Sequence, residues 1–455
     1  MILFKKIKSI ILRNDHFRTI LIGSSTAFIF KIFGMAFGYL LIFLIAKIYG
    51  SEVIGIYSVT TSIILIASMI GSMGVNTSIL RYAGQFQDAA NQKNLKNLYK
   101  YGLEIAIIAS SFIGIIIYFL SNIIAEQLFE DALYINALKF SAIIIPFMAT
   151  LNISLQFLVG IKEFKRSEIL RSTLSPLIVI IILLFFNKIF LDSLLPVYSL
   201  GLCIIISSIY AIFFIQYYFK KLSIQKILDT SNYSLKKIEL IKTSFPMMIT
   251  AASAFFLLNI SILMCEIFLE SKEVGIFSVC WRIAAIVPIV MLAFNSMSGP
   301  KFAELYWKKK YVDLQDTITK STSLVFYISF IIALLIIAFS KQILGMFGQE
   351  LINSVEVLVY LILGQMVYCC TSANGIFLNM IGKQKLFAWI VFITLLVNIL
   401  FNIYLIPSYG IKGAAIGNLV GSLVLNISTA IIIKNKFNFK TYFIPGSLNF
   451  IKSAK

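Results

Sequence analysis

Twelve long apolar blocks separated by short polar connectors run through this chain. A helix needs about 20 predominantly apolar residues to cross a bilayer, because the hydrocarbon core is about 30 Å thick and each helical residue rises about 1.5 Å. The first six blocks lie near 20–46, 53–79, 99–120, 133–159, 168–187 and 194–219. The second six lie near 243–268, 274–299, 318–340, 354–381, 386–406 and 411–433. These spans consume most of the 455 residues, so no sizeable soluble domain fits in the remainder. Apolar residues make up 59% and charged residues 13%, against about 45–50% and about 25% in soluble chains. The expected fold is all-α: a polytopic membrane protein with twelve transmembrane helices.

The formal charge of +19 needs its own explanation. On a nucleic-acid binder the cations would interleave with polar and aromatic residues, whereas these occupy the gaps between apolar blocks, so no nucleic-acid partner is expected. They read as topology signals, which are counted over Lys and Arg alone. With the N-terminus inside, 31 fall on the cytoplasmic side and five outside: Lys47, Lys188, Lys272, Lys341 and Lys412. Both termini are therefore expected to be cytoplasmic. The segment from Met1 to Arg18 is basic and amphipathic, and the apolar block after it is longer than a signal peptide's and has no small-residue cleavage pattern, so no removal is expected. Cys203, Cys265, Cys280, Cys369 and Cys370 all lie inside apolar blocks, with a count and spacing that fit neither disulfides nor zinc.

The halves repeat. At an offset of 220, Gly55-Ile56-Tyr57-Ser58-Val59 aligns with Gly275-Ile276-Phe277-Ser278-Val279, and Arg81-Tyr82-Ala83 with Lys301-Phe302-Ala303. Gly160 and Gly382 pair at an offset of 222. Six spans separate equivalent positions, so the halves share one orientation, a parallel repeat about an axis along the membrane normal. The expected organisation is an N-terminal six-helix bundle over 1–219, a cytoplasmic connector over 220–242, a C-terminal six-helix bundle over 243–433 and a basic cytoplasmic tail over 434–455. Two parallel halves imply a cleft.

The run from Tyr49 to Ser58, followed by Gly71-Ser72-Met73-Gly74 and Arg81-Tyr82, resembles the polysaccharide-transport branch of the multidrug/oligosaccharidyl-lipid/polysaccharide (MOP) exporter superfamily. That resemblance implies a V-shaped pair of six-helix bundles working by alternating access. It further implies a flippase of undecaprenyl-pyrophosphate-linked oligosaccharide repeat units, serving O-antigen or capsule synthesis in the bacterial cytoplasmic membrane beside a polysaccharide polymerase. A cation-coupled multidrug exporter and a peptidoglycan lipid-precursor flippase are the alternatives within the same superfamily.

A charge at bilayer depth costs roughly 2.5–3.5 kcal/mol on insertion scales and rarely faces lipid. Lys31 and Arg282 are therefore the first candidates for a substrate site; Lys139 lies nearer a membrane edge, within reach of snorkelling. Lys31 shares a face with Ser24, Ala27, Gly34 and Gly38, and Arg282 with Ser278, Ala285 and Ile289. Acids are nearly absent from the middle of the spans, so a cleft would be net positive and would attract a pyrophosphate rather than a cationic drug. Polar stripes recur at helical spacing: Ser68, Ser72, Asn76; Asn259, Glu266; Thr394, Asn398, Asn402; Asn418, Ser422, Asn426. Asn76 and Asn259 are candidates for contacting sugar hydroxyls, although hydrogen bonding between packed helices is the commoner use of such groups. Arg81, Arg171 and Lys301, at cytoplasmic span ends, are candidates for phosphate entry or plain topology determinants. Pro146, Pro176 and Pro288 fall inside spans and remove one backbone bond each.

No Walker-type phosphate loop and no metal-ligand spacing appears, and His16 is the single histidine. The loops are too short for a catalytic lobe, so neither enzyme activity nor a cofactor is expected. Energy must then come from elsewhere: a proton or sodium ion at a carboxylate such as Glu104 or Glu266, or product removal aided by the membrane potential.

Overall fold

The computed structural model describes residues 15–85, 92–129, 131–161, 163–186, 192–224 and 235–445. Every regular element among them is helical. Among the described residues, nine helices are long and apolar enough to cross a membrane. One of these, Asp15–Gly71, carries the first two spans, merged across a turn at Gly50 where φ is 84°. The seventh span is Lys237–Phe268, and the eighth is divided into Ser271–Ala284 and Ile289–Trp307. Twelve passes result, as the apolar blocks predict.

Two compact units divide these helices. The first comprises Met1–Leu41, Ile63–Asn122 and Ile135–Ile249; the second comprises Ile42–Ser62, Ile123–Tyr134 and Thr250–Lys455. The turn region of the first hairpin thus belongs with the C-terminal spans. The middle of the 220–242 connector lies outside the described residues.

Three spans are interrupted. The second breaks between Gly71 and Val75, where Met73 and Gly74 have φ of 47° and 73°. A Cβ at Gly74 would lie 2.3 Å from the Ser244 carbonyl oxygen, so span seven passes directly over this break. The eighth breaks over 285–288, where Pro288 has no amide hydrogen to continue the ladder. Amides there donate three residues back instead, Ile286 to Ile283 and Val287 to Ala284. The tenth breaks between Cys370 and Asn374. Of the other prolines, Pro146 sits within the continuous helix Leu133–Gly160, and Pro176 follows a π turn, Ile169–Thr173.

The third break is closed by the chain's own C-terminal stretch. The Phe443 amide donates to the Cys370 carbonyl at 2.7 Å, and the buried Thr441 hydroxyl donates to Asn374. Gln315 brackets Lys440, accepting from its amide at 2.8 Å and donating to its carbonyl at 2.9 Å. Phe443 stacks on Phe326 with ring centroids 4.0 Å apart. The strap supplies partners to polar groups that a helix break otherwise leaves unpaired in a nonaqueous environment.

Candidate functional site

Arg282 lies in the last turn of Ser271–Ala284, one turn before the break in span eight, and is half-buried. A cation in the last helical turn is stabilised by the carbonyl end of the macrodipole, by about 0.3–1 kcal/mol at an exposed site. Ser278, one turn earlier on the same face, is buried with its hydroxyl unpartnered among the described residues. Lys31 belongs to the helix Asp15–Gly71, but its side chain lies outside the described residues, as does that of Arg81 in Val75–Gln85. Lys31 falls in the first unit and Arg282 in the second.

The polar stripes divide into two kinds. Along spans ten to twelve, Asn398, Asn374 and Thr371 bond across to neighbouring helices, while Asn402 bonds to Asn398 of its own helix. Asn402 donates to Asn398 at 2.8 Å, Asn398 to the Gly417 carbonyl at 3.2 Å, and Asn374 to the Asn426 carbonyl at 2.9 Å. Thr371 donates to Asn426 at 2.8 Å. These groups serve helix packing. In span two, Ser68 and Ser72 donate to carbonyls of their own helix, at Leu65 and Met69. Asn76, buried in the first turn after the break, accepts from the Thr77 amide at 2.9 Å and donates to the Met69 sulfur at 3.1 Å. Asn259 is half-buried and donates to the Phe255 carbonyl at 2.9 Å.

The two candidate coupling carboxylates occupy opposite environments. Glu104 is 39% exposed and paired with Lys237 at 2.8 Å and Lys100 at 4.0 Å. Glu266 is 2% exposed, and among the described residues it has no cationic partner. Its Oε1 accepts from Ser271 at 2.7 Å, and the Tyr134 hydroxyl, 3.4 Å from that of Ser271, also approaches the carboxylate; Oε2 has no partner within hydrogen-bond geometry among the described residues. An uncompensated buried carboxylate is held neutral by a proton or balanced by a cation, since burying the bare charge costs far more than either.

Of the entry candidates, Arg171 is exposed within the π turn. Lys301 is exposed and bonded at 3.0 Å to Glu304, which also accepts from Lys308 at 2.9 Å. These bonds, Lys308 first, hold the Glu304 carboxyl down to about 2.

A feature the residue types alone did not disclose sits in the second unit, where the first hairpin crosses the start of span eight. A Cβ built on Gly55 would lie 1.9 Å from the Ser271 carbonyl oxygen, and one on Gly275 would lie 1.8 Å from that of Ser51. The two contacts are related by the same offset of 220 as the internal repeat, so equivalent glycines of the two halves meet backbone to backbone. Glu350 spans the crossing: it accepts from the Ser51 hydroxyl and pairs with Lys272 at 2.9 Å. The available signal was a Ser four residues before Gly in both halves. Ser271 also donates to Glu266, so the crossing and the buried carboxylate share one residue.

Comparison with known proteins decides the family. The family model for polysaccharide biosynthesis proteins matches residues 20–306, well over half of the chain. The chain belongs to this polysaccharide biosynthesis family. A second model, MatE, matches 246–404. Among curated relatives, the chain is 24% identical over 229 residues to the "Probable low-salt glycan biosynthesis flippase Agl15" of Haloferax volcanii, covering 50% of this chain and 46% of that protein. The match thus spans less than half of that relative's length. Two solved structures share the fold. An inward-facing multidrug resistance MATE family transporter of the MOP superfamily has a TM-score of 0.71 and 14% identity, over 88% of this chain and 94% of that one. The lipid II flippase MurJ, in an inward closed conformation, has a TM-score of 0.71 and 15% identity, over 91% and 87%. The resemblance drawn from Tyr49 to Tyr82 is borne out, and the polysaccharide biosynthesis family member is a multi-pass membrane protein of the MOP fold.

Proposed function

We propose that the protein flips undecaprenyl-pyrophosphate-linked oligosaccharide repeat units from the cytoplasmic to the outer leaflet of the bacterial inner membrane, with both termini cytoplasmic and a polysaccharide polymerase downstream. The observation that carries this reading is Arg282 at the end of a half-helix in the broken eighth span. Discontinuous helices mark binding sites in membrane transporters. A guanidinium there offers a forked donor that matches phosphate oxygens. Arg282 and Lys31 are the proposed pyrophosphate contacts; Asn76 and Asn259 are the proposed sugar contacts; Arg81, Arg171 and Lys301 receive the head group on entry. Sign of charge separates this reading from cationic drug export, which calls for carboxylates facing the transported cation. The family match and the likeness to a probable glycan biosynthesis flippase of Haloferax volcanii support a glycan as cargo.

For coupling, Glu266 is preferred over Glu104. Glu104 already has two lysine partners, whereas Glu266 is buried with one oxygen unpartnered. A proton or sodium ion at Glu266 would act by binding one conformation better than the other, the only route by which a ligand biases an equilibrium.

The test is flipping of a labelled polyprenyl-pyrophosphate oligosaccharide in vesicles containing the pure protein. Arg282→Ala should abolish it while insertion persists, and Arg282→Lys should restore part. Parental flipping by the Ala variant refutes the pyrophosphate role. Flipping that ignores proton and sodium gradients, in parent and Glu266→Gln alike, refutes the coupling role.

A further inference from the structure

A groove of about 630 Å³ opens between the fifth and sixth spans, entirely within the first unit. That is the size of ordinary small-molecule sites. Its walls are apolar, with Ile178 from span five and Ile206 and Tyr210 from span six, while Glu163, Lys165 and Arg166 gather at one end. The walls face outward: Ile206 and Tyr210 are each 51% exposed, and Phe213 on the same helix is 69% exposed. An apolar face of this extent on a membrane protein meets hydrocarbon. The charged end lies at the start of span five, beside the short helix Phe164–Glu168.

The charged end is built rather than loose. The Arg166 guanidinium lies 3.9 Å from the Phe214 ring centroid and 3.1 Å from the Glu163 carboxylate. One contact fixes its face and the other one edge. Ser167, buried, donates to the Leu155 carbonyl at 3.1 Å and anchors the short helix against span four. The π turn Ile169–Thr173 follows directly and contributes Ile169 and Leu170 to the groove. π turns inside helices are rare and recur at functional sites.

We propose that this groove binds a membrane phospholipid carrying a primary amine, a phosphatidylethanolamine-type lipid, with its phosphate on Lys165 and Arg166, its ammonium on Glu163 and an acyl chain along Ile178 and Ile206. Charge complementarity selects the occupant. Two cations alone would fit the phosphate of any phospholipid, but a carboxylate beside them, bonded to Arg166 through Oε2, offers a seat for a positive charge. A head group with a phosphate and an ammonium two carbons apart satisfies all three side chains. A head group without the ammonium keeps the phosphate contacts but brings no cation to Glu163, so it forgoes the third contact.

The test uses the full chain in detergent, supplied with equal amounts of dioleoyl-phosphatidylethanolamine and dioleoyl-phosphatidylglycerol, with retained lipid counted by native mass spectrometry. The parent should keep phosphatidylethanolamine in several-fold excess. Glu163→Gln should equalise or invert that preference, and Arg166→Ala should lower retention of both lipids. Ile178→Trp, which fills the groove, should abolish the preference, with its fold checked by thermal unfolding. Glu163 and Arg166 are partly exposed, so their variants keep the fold and the selectivity readout stands without the Trp variant. Equal retention of the two lipids by the parent, a parental preference for phosphatidylglycerol, or a preference untouched by Glu163→Gln overturns the proposal. So does displacement of the lipid by equimolar polyprenyl pyrophosphate, which would assign the groove to the transported substrate.

Discussion

Adding one methyl group at Gly275 should damage this protein more than almost any other single-carbon change. The built Cβ lies 1.8 Å from the Ser51 carbonyl oxygen and 3.1 Å from the Gly55 amide nitrogen. Both obstructing atoms are backbone, so no rotamer change relieves the clash. Reaching 3.4 Å, the near edge of ordinary contact, requires the carbonyl to retreat by about 1.6 Å. A shift of that size parts the first hairpin from span eight and pulls the 2.9 Å Lys272–Glu350 pair away from Ser51. Overpacking of this kind costs about 1–3 kcal/mol; the ion pair, more than a third exposed on both sides, is screened by solvent and adds little. Gly275→Ala should therefore lose about 1–3 kcal/mol in reversible unfolding in mixed micelles, and Gly55→Ala, facing Ser271 at 1.9 Å, should match it. Gly38→Ala is the control, since nothing lies within 4 Å of its Cβ. There Ala should be neutral or stabilising, up to about 1 kcal/mol from helix propensity. Gly275→Ala unfolding like the parent would refute the backbone crossing.

Three further outcomes are expected. Thr441→Ala removes the donor to Asn374 at a buried position and should cost about 1–3 kcal/mol, read as earlier thermal unfolding; an unchanged transition counts against the C-terminal strap. Glu266→Gln keeps a side chain able to bond Ser271 and carries no charge, so the variant should unfold no earlier than the parent; marked destabilisation would mean that a bound cation holds the native carboxylate. Glu304 has a depressed pKa, so its contribution is present above the ordinary carboxylate value of 4.5 and is lost as pH falls through about 2. The stability gap between parent and Glu304→Gln should shrink across that window and also with added salt, because the group is exposed; a gap constant from pH 5 to 2 refutes the Lys301 and Lys308 pairing.

Legibility differed sharply between spans and sites. The spans were readable because hydropathy is additive along a local window, and the expected charge asymmetry because cations gather in the connectors. Even the eighth span's break was foreshadowed, since Pro288 removes a backbone donor wherever it sits. Pro146 carried the same local signal and produced no break, because the helix around it continues from Leu133 to Gly160. Asn76 and Asn398 looked alike as members of polar stripes. One bonds beside its own helix break, the other reaches the Gly417 carbonyl across a helix pair. Nothing in their spacing separates the two.

The sequence by itself determined the number of passes, the cation asymmetry and the repeat, since each depends on residues read against their neighbours or against a fixed offset. Tertiary structure alone decided that Glu266 is buried with no cation beside it among the described residues while Glu104 is paired. It also decided that Gly55 meets Gly275 and that the tail closes the tenth span. Burial and pairing are set by groups tens to hundreds of residues away in the chain, and in a membrane, where water cannot satisfy a polar atom, those distant partners determine what each polar residue does.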